Sequence, residues 1–570
     1  MNKTNGYRSR KMREYIRHRL SESLQKCNFK VDEITIEKPK NPKFGDYTTN
    51  AALMIANRAG LKPREAAEKI IENLNYDIKL IDKIEIAGHG FINFYISDSY
   101  YFWVLNEILK KKEKYGLSEI NKGKRANVEW VSANPTKPLH AGHGRHICLG
   151  KSISNLLEWS GYKVIREYYY NDAGNQMKVL AESVYARYMQ IMEPGFPFPE
   201  NGYHGNYITE IAKIIYEKEK EKYRNNYNES YFKSEAENYN FKSIKNTLEK
   251  LGIRHDVFFN ESDLYKNGNI ENVLKEFKKR NLSYISDDAV WLKIDESGER
   301  DKVIVKSSGE PTYRLPDIAY HIEKIKKGYD LIVDIFGSDH LDTYKDVLHG
   351  AAALGYDIKN IRVIIHQMVT FKVKKESNGM NEEVKHTTKM SGRSGKTYLL
   401  DDLIDEIGAD ATQFFFIMRS APAHLVFDID LAKEHSEKNP VYYLQYAHAR
   451  ICSIIRNAKD NFKTEYEKFL NPENIKPDEH LKTKEEIDLI RIISDFPEVI
   501  LNAANEYEPH ILISYLNQVA EKYHIFYHNH RVLNNEEINL SVSRLLLCFA
   551  VKQVLKNGFD ALGISAPESM

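Results

Sequence analysis

The change of pattern between Asn127 and Leu157 constrains this chain most. NVEWVSA reads as a strand, NPTKPLHAGHGRH follows, and Ile147, Gly150, Ile153 and Leu157 then recur at helical spacing. Gly161 ends that helix, and YKVIREYYY reads as the next strand. Strand, helix, strand is a βαβ unit, which lays its two strands parallel in one sheet. Farther on, YDLIVDIFGSD (Tyr329 to Asp339) is nearly continuous apolar sequence, as expected of a strand buried on both faces. A helix over KDVLHGAAALG and a strand over IRVIIHQMV extend the same sheet.

At 570 residues the chain is too long for one core. Residues 1–112 read as an α+β unit: a helix in MREYIRHRLSESL, a loop in KPKNPKFGDYTTN, a helix in AALMIANRAG and strand alternation in KIEIAGHGFINFYIS. The parallel-sheet unit spans 122–405. Within it, residues from about 195 to 300, rich in Lys, Glu, Asn and Tyr, read as a mostly helical insertion. Residues 406–570 have helical period almost throughout and read as an all-α domain. Charge is balanced, with 82 basic and 81 acidic residues, so a nucleic-acid partner must be held by local patches. Cys27, Cys148, Cys452 and Cys548 form no CxxC pair, which argues against a disulfide framework and fits a reducing cytoplasm. No stretch reads as long and apolar enough for a membrane span, and the basic N-terminus lacks the apolar region of a secretory signal, although an Arg-rich start of this kind can resemble a transit peptide.

HAGHG falls where the first strand of the βαβ unit meets its helix, the crevice where open α/β sheets bind ligands. Gly142 and Gly144 let a ligand approach the backbone, and the helix N-terminus favours negative charge. His140 and His143 could donate to phosphate oxygens or to an adenosine, and so stabilise charge as pyrophosphate leaves. A second candidate is KMSGRSGKTYLL (Lys389 to Leu400), a polar loop that could close over a triphosphate. It is no P-loop, because Met390 stands where that motif needs its first glycine. By itself it fits a solvated basic loop slightly better.

Together, HxGH after the first strand and KMS before a helical domain resemble the class I aminoacyl-tRNA synthetases, whose two motifs bind ATP and stabilise adenylate formation. VEWVSANPTKPLHAGHGR, FGDYTTNAA, GFINFY, PTYRLPDIAYH, GSDH, KMSGRSGK, LDDLIDEIGAD and NPVYYLQYAHARI are similar to the arginyl-tRNA synthetases over essentially the whole chain. The resemblance implies a Rossmann-type catalytic domain between an α+β N-terminal domain and an all-α anticodon-binding domain. It implies that L-arginine is activated with ATP to arginyl-adenylate, then transferred to the 3′-terminal adenosine of tRNA(Arg), releasing AMP and pyrophosphate. Mg²⁺ accompanies ATP, no metal is held by a protein cage, and activation requires bound tRNA. A cytoplasmic monomer is expected.

The resemblance also assigns residues. ATP falls to His140, Gly142, His143, Lys389, Met390 and Ser391. Arginine falls to Glu129, Ser132, Asn134, His143, Tyr313, Asp317 and His340. A guanidinium has five donors and no acceptor, so carboxylates and carbonyls suit it. Tyr313 and Asp317 are one helical turn apart, but Pro316 between them argues against an unbroken helix. Phe44 and Asn50 are implied to meet the tRNA elbow, and Tyr442, Tyr446 and Arg450 the anticodon. The second lysine of the KMSKS motif is replaced here by Gly392, and Lys137, just before HAGHG, is expected to supply that cation to the ATP phosphates. Rival readings are another class I synthetase, a small HxGH nucleotidyltransferase, and a non-catalytic tRNA-binding paralogue.

Overall fold

The computed structural model describes residues 12–30, 33–172, 174–294, 300–373, 386–388, 398–461, 467 and 477–570. The N-terminal unit contains α1 (Met12–Lys26), β1 (Tyr47–Thr49), α2 (Ala51–Ala59), α3 (Pro63–Glu72), β2 (Ile81–Ala87), β3 (Phe91–Ile96) and α4 (Asp98–Lys111). Its sheet is antiparallel, in the order β1-β3-β2. The GHG between β2 and β3 makes the hairpin turn, with Gly90 at φ 135° and a would-be Cβ 2.8 Å from the Pro63 carbonyl oxygen.

The central unit runs β4 (Arg125–Glu129), α5 (Gly144–Trp159), β5 (Lys163–Tyr170), α6 (Asn175–Met192), α7 (Asn206–Glu219), α8 (Glu229–Lys250), β6 (Val257–Asn260), α9 (Glu261–Lys266), α10 (Asn269–Lys279), β7 (Ser283–Ser286), β8 (Ala289–Leu292), β9 (Lys302–Val305), α11 (Arg314–Lys326), β10 (Leu331–Gly337), α12 (Thr343–Ala353) and β11 (Ile361–His366). Five strands form a parallel sheet in the order β11-β10-β4-β5-β6. Strand order reverses at β4, so the crevice lies at the carboxyl ends of β4 and β10. HAGHG follows β4 and GSDH follows β10.

Three expectations need correction. The segment from 195 to 300 is helical in α7 to α10, but it also supplies β6, the edge strand of the main sheet, and most of the antiparallel β7-β8-β9 sheet. Strands of four residues among lysines and asparagines leave too little period to read. The unit at 406–570 is not purely helical: Leu425–Asp428 pairs in parallel with Val369–Val373. Finally, the helix Ile538–Leu562 is long and apolar enough to cross a membrane by length and composition, although 72% of its most apolar window is buried inside the protein. It is apolar all round because it is the core helix of the C-terminal bundle.

That helix ends on α5. Ser152 Oγ donates to the Leu562 carbonyl at 2.8 Å, and Gln413 Nε2 donates to the same oxygen at 3.2 Å. Lys151 Nζ donates to the Gly563 and Leu251 carbonyls, each at 2.6 Å. Gly150 lies against Trp130, and a Cβ there would sit 2.1 Å from the indole. Gly150→Ala should therefore destabilise by about 1–3 kcal/mol from overpacking, outweighing the roughly 1 kcal/mol that alanine gains in a helix. A thermal melt checks this; an unchanged or higher Tm would mean that the indole can move aside.

Candidate active site

The site begins where β4 ends. Val131 (φ 77°) and Ser132 (φ 43°) are both left-handed, a conformation that a β-branched residue rarely adopts. Each such residue costs about 1–3 kcal/mol and persists only where its surroundings impose it. The turn folds Ser132 back so that its Oγ donates to Glu129 Oε1 at 3.0 Å. The next loop is pinned from outside. Tyr168 donates to the Ala133 carbonyl at 2.8 Å, Asn240 to that of Pro135 at 2.9 Å, and Tyr207 to that of Thr136 at 2.9 Å. Asn134 accepts from the Asn171 amide at 3.0 Å and donates to Gln176 at 3.3 Å. A cavity of about 290 Å³ opens among Ser132, Asn134, Lys137, His143, Gln176 and Tyr203.

The two histidines stack, with ring centroids 3.7 Å apart. Burial, with Lys137 adding, pushes the His140 imidazole down to about 4, and burial drives His143 well below its usual range. Both are neutral at pH 7, so they act as hydrogen-bonding groups rather than cations. The His140 backbone N–H donates to His143 Nδ1 at 3.2 Å, which leaves the His143 proton on Nε2. Gly142 is held close, since a Cβ would sit 2.9 Å from the His140 ring. Burial lowers the Lys137 ammonium, with no charged neighbour contributing.

Lys389, Met390 and Ser391 lie outside the described residues. The chain on either side of them is placed: His386–Thr388 is a strand, and Tyr398 to Leu400 returns against HAGHG. Ala141 N–H donates to the Tyr398 carbonyl, and Leu400 N–H to that of Leu139, both at 2.9 Å.

The acidic side of the site lies between β4, β10 and α11. Helix α11 runs unbroken through Pro316, correcting the expectation of a break, because proline in the first turn forgoes no intrahelical donor. Tyr313 caps this helix and is 78% exposed, at the rim rather than inside. Asp317 faces inward. Burial pushes its carboxyl up to about 7, with Glu129 and Glu261 adding to the rise and His321 and Lys324 offsetting part of it. Glu129 is buried and accepts from Lys324 Nζ at 2.6 Å, and Lys324 also pairs with buried Asp334. Tyr169 donates to Glu261 at 2.6 Å. His340 lies on the turn after β10, stacked on Phe336 at 5.1 Å.

Glu129, Ser132, Asn134, Lys137, His140 and His143 thus share the carboxyl end of β4, and Asp317 faces Glu129. Gln176, Tyr203 and Lys324 were missed. Gln176 opens α6 and Tyr203 lies in the loop before α7, and neither has a local signature. Lys324 had one: Asp317, His321 and Lys324 lie at i, i+4 and i+7, one face of α11.

In the N-terminal unit, Phe44 is half exposed on a turn, and Asn50 precedes α2 without capping it, its buried Oδ1 having no hydrogen-bond partner among the described residues. On the helix Pro440–Asn461, Tyr442 and Tyr446 stack at 6.2 Å and Tyr446 stacks on His524 at 6.3 Å. Arg450 donates to the Tyr446 hydroxyl at 3.2 Å and to that of Tyr527 at 3.0 Å.

Residues 104–418, more than half of the chain, match the family described as tRNA synthetases class I (R), catalytic domain. Residues 12–96 match the arginyl tRNA synthetase N terminal domain, and 444–570 the DALR anticodon binding domain. The arginine–tRNA ligase of Chlorobium phaeobacteroides is 46% identical, covering 98% of this chain and 100% of that one. The chain belongs to the arginyl-tRNA synthetases. Like other arginine–tRNA ligases, it activates L-arginine with ATP and transfers it to the terminal adenosine of tRNA(Arg). The Desulfotalea psychrophila arginine–tRNA ligase is 42% identical, over 97% of this chain and all of its own length. The Thermus thermophilus arginyl-tRNA synthetase structure shares the fold, with a TM-score of 0.75 at 21% identity over 98% of this chain and 100% of that one. An arginyl-tRNA synthetase must bind a guanidinium, a polyphosphate and a tRNA end side by side, and the sheet's carboxyl edge offers an acidic wall beside one lined by Lys137 and two neutral histidines.

Proposed function

We propose that the roles divide along those two walls. Glu129 and Asp317 accept hydrogen bonds from the arginine guanidinium, with Tyr313 closing over it from the rim. Ser132, Asn134 and His340 orient the α-amino and carboxylate end. His140 and His143 hold the ATP phosphates, with Gly142 admitting the nucleotide to the backbone; Lys389, Met390 and Ser391 are assigned to ATP as well. Lys137 supplies the cation that Gly392 does not. The carboxylate oxygen of arginine attacks the α-phosphorus, the bond to the β-phosphate oxygen breaks, and charge developing on pyrophosphate is met by Lys137 and the His143 Nε2 proton. Mg²⁺ enters with the nucleotide as part of the substrate. The terminal adenosine hydroxyl of tRNA then takes the arginyl group and AMP leaves.

The observation that carries this reading is Asp317: a half-buried carboxyl, with no hydrogen bond to it among the described residues and with Glu129 and Glu261 beside it, suits a cation. Phe44 and Asn50 are assigned to the tRNA elbow, and Tyr442, Tyr446 and Arg450 to the anticodon bases. The units are divided at 1–112, 122–405 and 406–570, and the protein acts as a monomer in the cytoplasm. ATP–pyrophosphate exchange with each amino acid, with and without tRNA, tests the assignment. Exchange with arginine alone, and only when tRNA is present, is expected. Exchange with no amino acid while tRNA still binds would overturn the assigned roles.

A further inference from the structure

Beneath the arginine pocket lies a buried cation that no substrate-binding role accounts for. The Lys324 side chain is fully buried. Its ammonium reaches Glu129 Oε2 at 2.6 Å, pairs with Asp334, and sits 4.7 Å from the centre of the Tyr320 ring. His321 Nε2 lies 3.2 Å from the other Asp334 oxygen. The lysine therefore bridges the last residue of β4 and the middle of β10 from α11, the helix that also carries Asp317.

Glu129 is held at both oxygens. Oε2 takes the Lys324 ammonium, and Oε1 takes the Ser132 hydroxyl. A carboxylate gripped in this way cannot rotate. It can still accept further hydrogen bonds, since each oxygen has two lone pairs. A guanidinium fork demands fixed acceptor positions. Without the lysine, Glu129, Asp317 and Asp334 would gather around α11 with no fixed counter-charge beyond His321.

We propose that Lys324 is a positioning residue for arginine recognition, an internal counter-cation that fixes the Glu129 carboxylate in the orientation a guanidinium requires. This rests on Glu129 holding the guanidinium as proposed above. Lys324 touches neither arginine nor ATP; it acts through Glu129.

Lys324→Met alone is a poor test, because it strands two buried carboxylates against each other and threatens the fold. Lys324→Met combined with Asp334→Asn removes one cation and one anion together and leaves Glu129 held by Ser132 alone. The arginine KM should rise tenfold or more, with the ATP KM within twofold of the parent. Asp334→Asn alone keeps the lysine but removes the carboxylate that anchors its ammonium to β10, so the ammonium no longer holds Glu129 in one place, and the arginine KM should rise threefold or more. This second variant decides if the double variant is not stably folded. Glu129→Gln, measured alongside, should raise the arginine KM more than either. An arginine KM within twofold of the parent in the folded Lys324 and Asp334 variants, with a raised KM in Glu129→Gln, would overturn the role of Lys324 and leave the pocket intact. An unchanged KM in Glu129→Gln would overturn the pocket assignment itself.

Discussion

Replacing Lys137 by alanine should slow arginine activation by roughly 30- to 1,000-fold, about 2–4 kcal/mol of transition-state stabilisation. The ammonium lies in a half-buried cleft beside the stacked histidines, and both imidazoles are neutral at pH 7. Among the described residues it is therefore the fixed positive charge of the cleft. A charge in a water-poor site acts strongly on a leaving polyphosphate. The loss should appear in kcat for ATP–pyrophosphate exchange, with arginine KM little changed. Lys137→Arg should recover part of it. Near-parental exchange by Lys137→Ala would mean that the leaving group draws its cation from elsewhere, such as Lys389 or Arg393.

Asp317→Asn should lower kcat/KM for arginine by roughly 30- to 150-fold, about 2–3 kcal/mol for a lost charge-assisted contact. The amide keeps one acceptor but turns donors toward a guanidinium that has only donors. The same variant should be more stable than the parent at pH 8. The sign follows from the carboxyl, which burial raises from its ordinary 3.8 to about 7. The folded protein holds that proton across a range where the unfolded chain has lost it. The carboxyl therefore costs stability increasingly as pH rises from about 4 to 7, and the full cost is present above that. The asparagine variant escapes this cost, so its Tm advantage should be absent near pH 4 and largest at pH 8. Arginine binding works the opposite way in the parent, because a bound guanidinium favours the ionised carboxylate. The arginine KM should rise as pH falls below about 7. A flat KM profile, with no Tm gain in the variant, would remove Asp317 from the pocket.

Much of this arrangement was legible before any coordinates. HAGHG could be placed at a strand–helix junction because the flanking periods are long and clean, and β10 could be read because its apolar run is uninterrupted. The acidic and aromatic candidates for the site came from resemblance rather than from local pattern. What escaped was set by long-range contact. β6 is a strand only because β5 offers it an edge. Gln176 reaches the cleft because α6 follows the end of β5. Pro316 looked like a helix breaker because its place in the first turn depends on where α11 begins, and helix ends are weakly encoded. Ile538–Leu562 shows the opposite failure, since its composition states how apolar it is but not what it packs against.

The seam between the helix Ile538–Leu562 and α5 has a consequence for modularity. Lys151 and Ser152 project from the catalytic unit and Gln413 from the helix Ala409–Ile417 just after it, and their acceptors at Leu562 and Gly563 belong to the far end of the chain. A fragment ending near residue 418 would expose these donors and the apolar surface around them, leaving a sticky face where the parent has a sealed joint. The anticodon-binding unit is thus also a structural wall of the catalytic one. Grafting, truncating or exchanging either unit alone should yield insoluble protein unless that joint is rebuilt.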